Sequence, residues 1–183
     1  MTEAPKLSPD MLRLVQSIAD FEMCNSALQF MSEWDEDQTV THKRRKFRCF
    51  EDAAVMAYCR PFTKANGLQR MTFEAISLVT TEAERALHRK LLDRRDKVIA
   101  HSDIDRMRLS LSTLSISPGE FVFPHLAWDD GLQLYDDRTA ISGLVRRLIS
   151  ACADLLFKHA QELGAGKIRI DHLFREGDDQ LQI

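Results

Sequence analysis

Helical periodicity, sustained over most of the chain, is the feature that narrows the possible folds. Between Asp136 and Gly166 the apolar residues Ile141, Leu144, Val145, Leu148, Ile149, Cys152, Leu155 and Leu156 recur at intervals suited to one helix face. A strand would alternate its side chains instead, so this run predicts a helix over about 136–163, ended by Gly164 and Gly166. A second helix is expected over about 8–31. Ser8 can cap its first turn, and Pro9 fits the first helical position. Leu14, Ile18, Phe21 and Leu28 share one line of it, and Val15, Ala19, Met23, Ala27 and Phe30 widen the apolar arc enough for two neighbouring helices. A third helix, about 41–60, stops at Pro61, because residues before proline avoid the helical region. A fourth, about 80–102, opens with Thr81 and Glu84 at capping-box spacing.

Between these helices the pattern breaks. Residues 32–39 read as a loop, and residues 63–67 as a turn in which Gly67 can take positive φ. Residues 71–79 fit a short helix or an extended approach equally well. The period changes once: Met107, Leu109 and Leu111 alternate with Arg108, Ser110 and Ser112, which is the spacing of a strand. Turn signals at 118–120 and 129–131 set off two more apolar runs, "FVFPHLAW" and "LQLY". Residues 105–135 are therefore expected to form a small inserted β-hairpin or meander, with Pro124 keeping at least one strand at an edge. The expected fold class is mainly α, an up-and-down four-helix bundle with this insertion, built as one domain over 1–183.

Bulk properties restrict the functional classes. Apolar residues make up 44% and charged residues 29% of the chain, as in soluble domains. The formal net charge is −3, so an anion site must come from local clustering. Cys24, Cys49, Cys59 and Cys152 are scattered without Cys-x-x-Cys spacing. The polar start "MTEAPKLSPD" has no apolar core of a signal peptide, so reduced thiols and a cytoplasmic location are expected. No apolar run approaches the roughly 18 residues of a membrane span.

The stretch "LLDRRDKVIAHSD" (91–103) carries an anomaly. On a wheel advancing about 100° per residue from Leu87, the apolar arc spans about 0–140° and Arg95 falls near about 80°. Its neighbours one turn away are Leu91, Leu92, Val98 and Ile99. Arg94 and His101 fall together on one edge of the arc, at about −20° and −40°. A guanidinium keeps its charge, and burying it without a partner costs several kcal/mol or more. One explanation is a structural ion pair with Glu51, Asp52 or Glu22, or a polar contact with the nearby Glu84 or His88. Another is a stem lying on the apolar surface with its head in water. A third is a cleft in which Arg95 and His101 hold an anion, since arginine binds phosphate in a fork and histidine moves protons near neutral pH.

"RRDKVIAHSD" resembles the signature of the HEPN superfamily: an arginine, a polar residue, and a histidine after four to six intervening positions. Here Arg95 is followed by Asp96, and five residues separate it from His101; Arg94, with six between, also meets the spacing. The run is most similar to HEPN proteins allied to phage abortive-infection systems, and the four-helix layout agrees. The resemblance implies a metal-independent endoribonuclease, toxin or antiphage effector in type, that acts as a homodimer and in some members is paired with an antitoxin. It implies Arg95 and His101 as the catalytic pair, Asp96 as the polar residue that orients them, and Arg94 as a supporting group. Other members of the superfamily are non-catalytic modules that bind nucleotide, RNA or a partner protein.

The chemistry is sound on first principles. RNA supplies its own nucleophile, the ribose 2′-OH. A neutral imidazole can take that proton, and a fixed guanidinium can stabilise the charge gathering on phosphorus. No cofactor is implied. The six histidines show no Glu-x-x-His pair of the kind that holds metals in bundles, so no metal ligands are assigned. Lys43, Arg44, Arg45 and Lys46 form a basic block at the expected start of the second helix and are candidates for RNA contact, or for a solvated helix face. Basic residues there oppose the helix dipole, so a bound anion would favour them.

Overall fold

The computed structural model describes residues 8–33, 41–65, 67–96, 108–116, 119–127 and 134–162. Four helices account for most of these: α1 (Pro9–Met31), α2 (Thr41–Cys59), α3 (Glu82–Arg94) and α4 (Arg138–Glu162). Each start and stop has a local cause. The Ser8 hydroxyl accepts a hydrogen bond from the Met11 amide at 3.2 Å, and Pro9 occupies the first turn of α1. Pro61 closes α2 as expected, through a short 3-10 turn over Arg60–Phe62. At α3 both halves of the capping box form: the Glu84 amide donates to Thr81 Oγ1 at 3.2 Å, and the Thr81 amide donates to Glu84 Oε2 at 2.7 Å.

The helices run up and down in turn. Glu51, in the middle of α2, meets Arg94 at the end of α3, whereas Tyr58, late in α2, meets His88. Asn25 near the end of α1 bonds Ser142 near the start of α4. α1 packs broadly on both α2 and α4, and α3 closes the bundle against them. The four ends that meet on one side are therefore the close of α1, the opening of α2, the close of α3 and the opening of α4.

The core is the set of apolar stripes read from the periodicity. Leu14, Phe21 and Leu28 of α1 face Ile141, Leu144, Val145 and Leu148 of α4, with Tyr58 and Phe62 filling the side towards α2. Phe21 and Tyr58 lie 6.1 Å apart between ring centroids, and Tyr58 and Phe62 lie 5.4 Å apart. Burial of each such large side chain stabilises the fold by about 1.5–3 kcal/mol. The second apolar line of α1 is only partly used: Met23 and Phe30 remain exposed, although Phe30 lies 5.2 Å from Phe50 between ring centroids. Cys24, Cys59 and Cys152 are buried free thiols. No helix among the described residues is long and apolar enough to cross a membrane.

Residues 71–79 form no regular helix. They form a turn over 73–77, in which Ser77 takes a φ of 54°, flanked by irregular residues on both sides. The insertion holds a hairpin, β1 (Arg108–Ile116) paired antiparallel with β2 (Gly119–Ala127). Pro124 stands opposite Leu111 in this two-stranded ladder, where a missing N–H interrupts no central strand. The turn expected at 118–120 reaches less far, since Gly119 already pairs with Ile116. The expected strand "LQLY" is corrected at its end: Leu134 and Tyr135 lie in the turn before α4, and the Leu134 amide donates to Glu51 rather than to a ladder partner.

Candidate functional site

Of the two adjacent arginines the buried one is Arg94, not Arg95; Arg13 of α1 is buried as well. In Arg94 the burial is matched by a partner. The Arg94 side chain is 5% exposed, and its guanidinium donates from Nη2 to Oε1 of Glu51, which is fully buried. Asp52 lies 3.7 Å from the same nitrogen and also binds Arg48 at 3.1 Å. The other Glu51 oxygen accepts the Leu134 amide at 2.9 Å. One carboxylate thus ties α2 to the end of α3 and to the entry of α4.

The wheel points to Arg95 because its arc is centred using Val98 and Ile99, which lie outside the described residues. Over the described part of α3 the buried residues are Leu91 and Arg94, with Leu87 half-buried one turn before them. The carboxylates expected to partner a buried arginine include the right ones, Glu51 and Asp52, but they hold the neighbouring residue. A buried glutamate without a cation would be as costly as a buried arginine alone, and the pair resolves both.

Arg95 occupies the next position, where the helix widens into a π-type turn over Arg95 and Asp96. Its side chain is 30% exposed and donates from Nη1 to Asp96 Oδ1 at 2.5 Å. Asp96 is itself exposed, and among the described residues Arg95 forms no ion pair with a buried carboxylate. His101 lies outside the described residues.

Lys43 and Arg44 lie in the first turns of α2, and Arg45 and Lys46 follow there as exposed residues. Lys46 Nζ stands 5.5 Å from the Phe47 ring centroid and 5.8 Å from that of Phe50. The antiparallel packing of α2 and α3 brings this basic start to the end of the bundle that carries Arg94, Arg95 and Asp96. Among the described residues, no three His, Cys, Asp or Glu side chains cluster as a metal would require.

Two features are invisible in the sequence. His88 lies against Phe62 and Phe73, at 4.6 and 4.7 Å between ring centroids, and its Nδ1 shares a 3.0 Å hydrogen bond with the Tyr58 hydroxyl. Burial pushes its pKa down to about 4, with Arg70 and Arg89 acting in the same direction. It faces a cavity of about 240 Å³ shared with Arg70 and Arg85. The second is a larger cavity, about 430 Å³, between the close of α1 and the opening of α4. Both are assembled from residues far apart in the chain, which no local pattern announces.

Comparison with protein-family models, with curated proteins and with solved structures finds no match to this chain.

Proposed function

We propose that the chain is a metal-independent endoribonuclease of the HEPN type, active as a homodimer, with Arg95 and His101 as its catalytic pair. The observation that carries this reading is the division of labour between two adjacent arginines. Arg94 is committed to Glu51 inside the bundle, which leaves Arg95, at the surface beside Asp96, as the guanidinium that can meet a ligand. Arg95 is also the arginine that has the motif's polar residue directly after it. The exposed Arg45 and Lys46 at the same end of the bundle supply positive charge for a phosphate backbone.

In this reading the His101 imidazole takes the proton from a ribose 2′-OH. The 2′-oxygen attacks the adjacent phosphorus, the bond to the 5′-oxygen breaks, and the departing oxygen takes up a proton. Arg95 stabilises the negative charge on the phosphorane, and Asp96 orients it. The products are a 2′,3′-cyclic phosphate and a free 5′-OH. DNA lacks the nucleophile and is left intact. A toxin or antiphage effector with a cognate antitoxin is the biological setting this chemistry suits.

The test is cleavage of total RNA and defined oligoribonucleotides by the purified chain in EDTA. Wild type is expected to cut, with His101→Ala and Arg95→Ala each losing at least about a hundredfold in rate. Wild type that binds RNA without cutting it would replace catalysis by a non-catalytic binding role. Wild type that neither cuts nor binds overturns the proposal.

A further inference from the structure

We infer that the cavity between the close of α1 and the opening of α4 is a binding site for a small phosphate-bearing molecule. Arg95 is not among its lining residues, and the inference does not rest on the nuclease reading. Its volume of about 430 Å³ lies within the usual range for small-ligand sites. Arg138 and Arg146 both line it, and none of the described lining residues is acidic. In a chain with net charge −3, a concave surface whose described lining holds two guanidiniums and no carboxylate has a marked local polarity. Asp137, directly before Arg138, is bonded to Lys90 of α3, and neither it nor Glu33, directly after Ser32, lines the cavity.

The donors are held in place before any ligand arrives. Arg138 donates to the Tyr135 carbonyl at 2.7 Å, and its guanidinium lies 3.9 Å from the centre of the Tyr135 ring. Arg146 donates to Ser142 Oγ at 3.2 Å, and the Ser142 hydroxyl donates to Asn25 Oδ1 at 2.8 Å. That relay assigns the Asn25 oxygen as its acceptor and leaves the amide NH₂ of Asn25 as a further donor on the cavity wall. The surface therefore presents N–H groups to an acceptor-rich guest, which is what phosphate oxygens require. Arg138 also stands in the first turn of α4, where it opposes the helix dipole unless an anion is near.

Gly143 is the second line of argument. It lies inside α4 and lines the cavity, and a Cβ built there meets no atom within 4 Å. Neither packing nor backbone geometry calls for glycine at this position. A glycine inside a helix weakens it relative to alanine. What the missing side chain does provide is open floor between Asn25, Arg138 and Arg146.

Calorimetric titration of the full chain with inorganic phosphate, pyrophosphate and ribose 5-phosphate tests the site. Wild type is expected to bind at least one of them. Arg138→Ala and Arg146→Ala should each weaken that binding about tenfold or more. Gly143→Leu, which fills the floor, should abolish it, whereas Gly143→Ala should raise Tm and retain binding. Arg89→Ala, at an exposed arginine of α3 paired with Glu82, should leave phosphate affinity unchanged. Preference for ribose 5-phosphate over inorganic phosphate identifies a phosphorylated metabolite as the guest, and equal affinity identifies free phosphate. No binding by wild type overturns the inference. So does binding that survives all of Arg138→Ala, Arg146→Ala and Gly143→Leu in variants shown to be folded by circular dichroism.

Discussion

The Arg94 guanidinium and the Glu51 carboxylate meet inside the bundle, with side chains 5% and 0% exposed. Removing one partner strands the other. Arg94→Met is expected to destabilise the protein by about 3–5 kcal/mol, because a buried charge then stands uncompensated. The double variant Arg94→Met, Glu51→Leu should recover part of that loss, though the Leu134 amide would still lack its acceptor. Urea denaturation of wild type, the two single variants and the double variant gives the coupling between them. A double variant no more stable than Arg94→Met would contradict the assignment.

The two adjacent arginines should separate in assays. Arg95→Ala is expected to leave urea stability within about 0.5–1 kcal/mol of wild type, since its partner Asp96 is exposed. Under the proposed function the same change removes RNA cleavage. Arg94→Ala should do the reverse in order, lowering stability first and activity only as the fold is lost. If Arg95→Ala cuts RNA at the wild-type rate, Arg95 is not the motif arginine.

His88 makes stability depend on pH. Its folded pKa is pushed down to about 4, mainly by burial, from an ordinary value near about 6.5. The unfolded chain thus binds a proton more readily than the native one between these values. Stability from this group is complete above about pH 6.5 and is lost progressively as pH falls towards 4. Thermal unfolding from pH 4 to pH 7 should show this decline, and His88→Phe should flatten that part of the curve. An unchanged slope in His88→Phe would assign the decline to other groups.

The capping box of α3 has a measurable share of stability. Thr81→Ala removes the acceptor for the Glu84 amide and is expected to cost about 1 kcal/mol in chemical denaturation. Thr81→Ser, which keeps the hydroxyl, should remain near wild type.

Salt should report on the basic start of α2. If Arg45 and Lys46 touch RNA phosphates, log affinity falls linearly with log salt, and removing both flattens the slope by about 1.4 for single strands. Fluorescence anisotropy with a labelled oligoribonucleotide across a salt series measures it. Equal slopes for wild type and the Arg45→Ala, Lys46→Ala variant would leave these side chains to solvent.

Much of the bundle is legible in local chemistry. Ser8, Pro9, Pro61, Thr81 and Glu84 act on their own few neighbours, so their effect on helix ends is written in adjacent residues. The apolar lines of α1 and α4 likewise follow from spacing alone. Which way α3 turns its face is not legible in the same manner. Arg94 and Arg95 are chemically identical, and what distinguishes them is a carboxylate on another helix. The end of the inserted segment misleads for a related reason: Leu134 has a strand-like sequence, but its amide is claimed by Glu51. The donor-lined cavity needs Asn25 beside Ser142, a meeting between opposite ends of the chain.

Glu51 also has a topological consequence. The residue that leaves the bundle, Arg94, and the residue that re-enters it, Leu134, are fastened to the two oxygens of a single side chain. The whole excursion between them, hairpin included, is cinched at its neck. Its two ends are thereby held side by side by one buried carboxylate, so shortening the β1–β2 hairpin should leave that clasp in place.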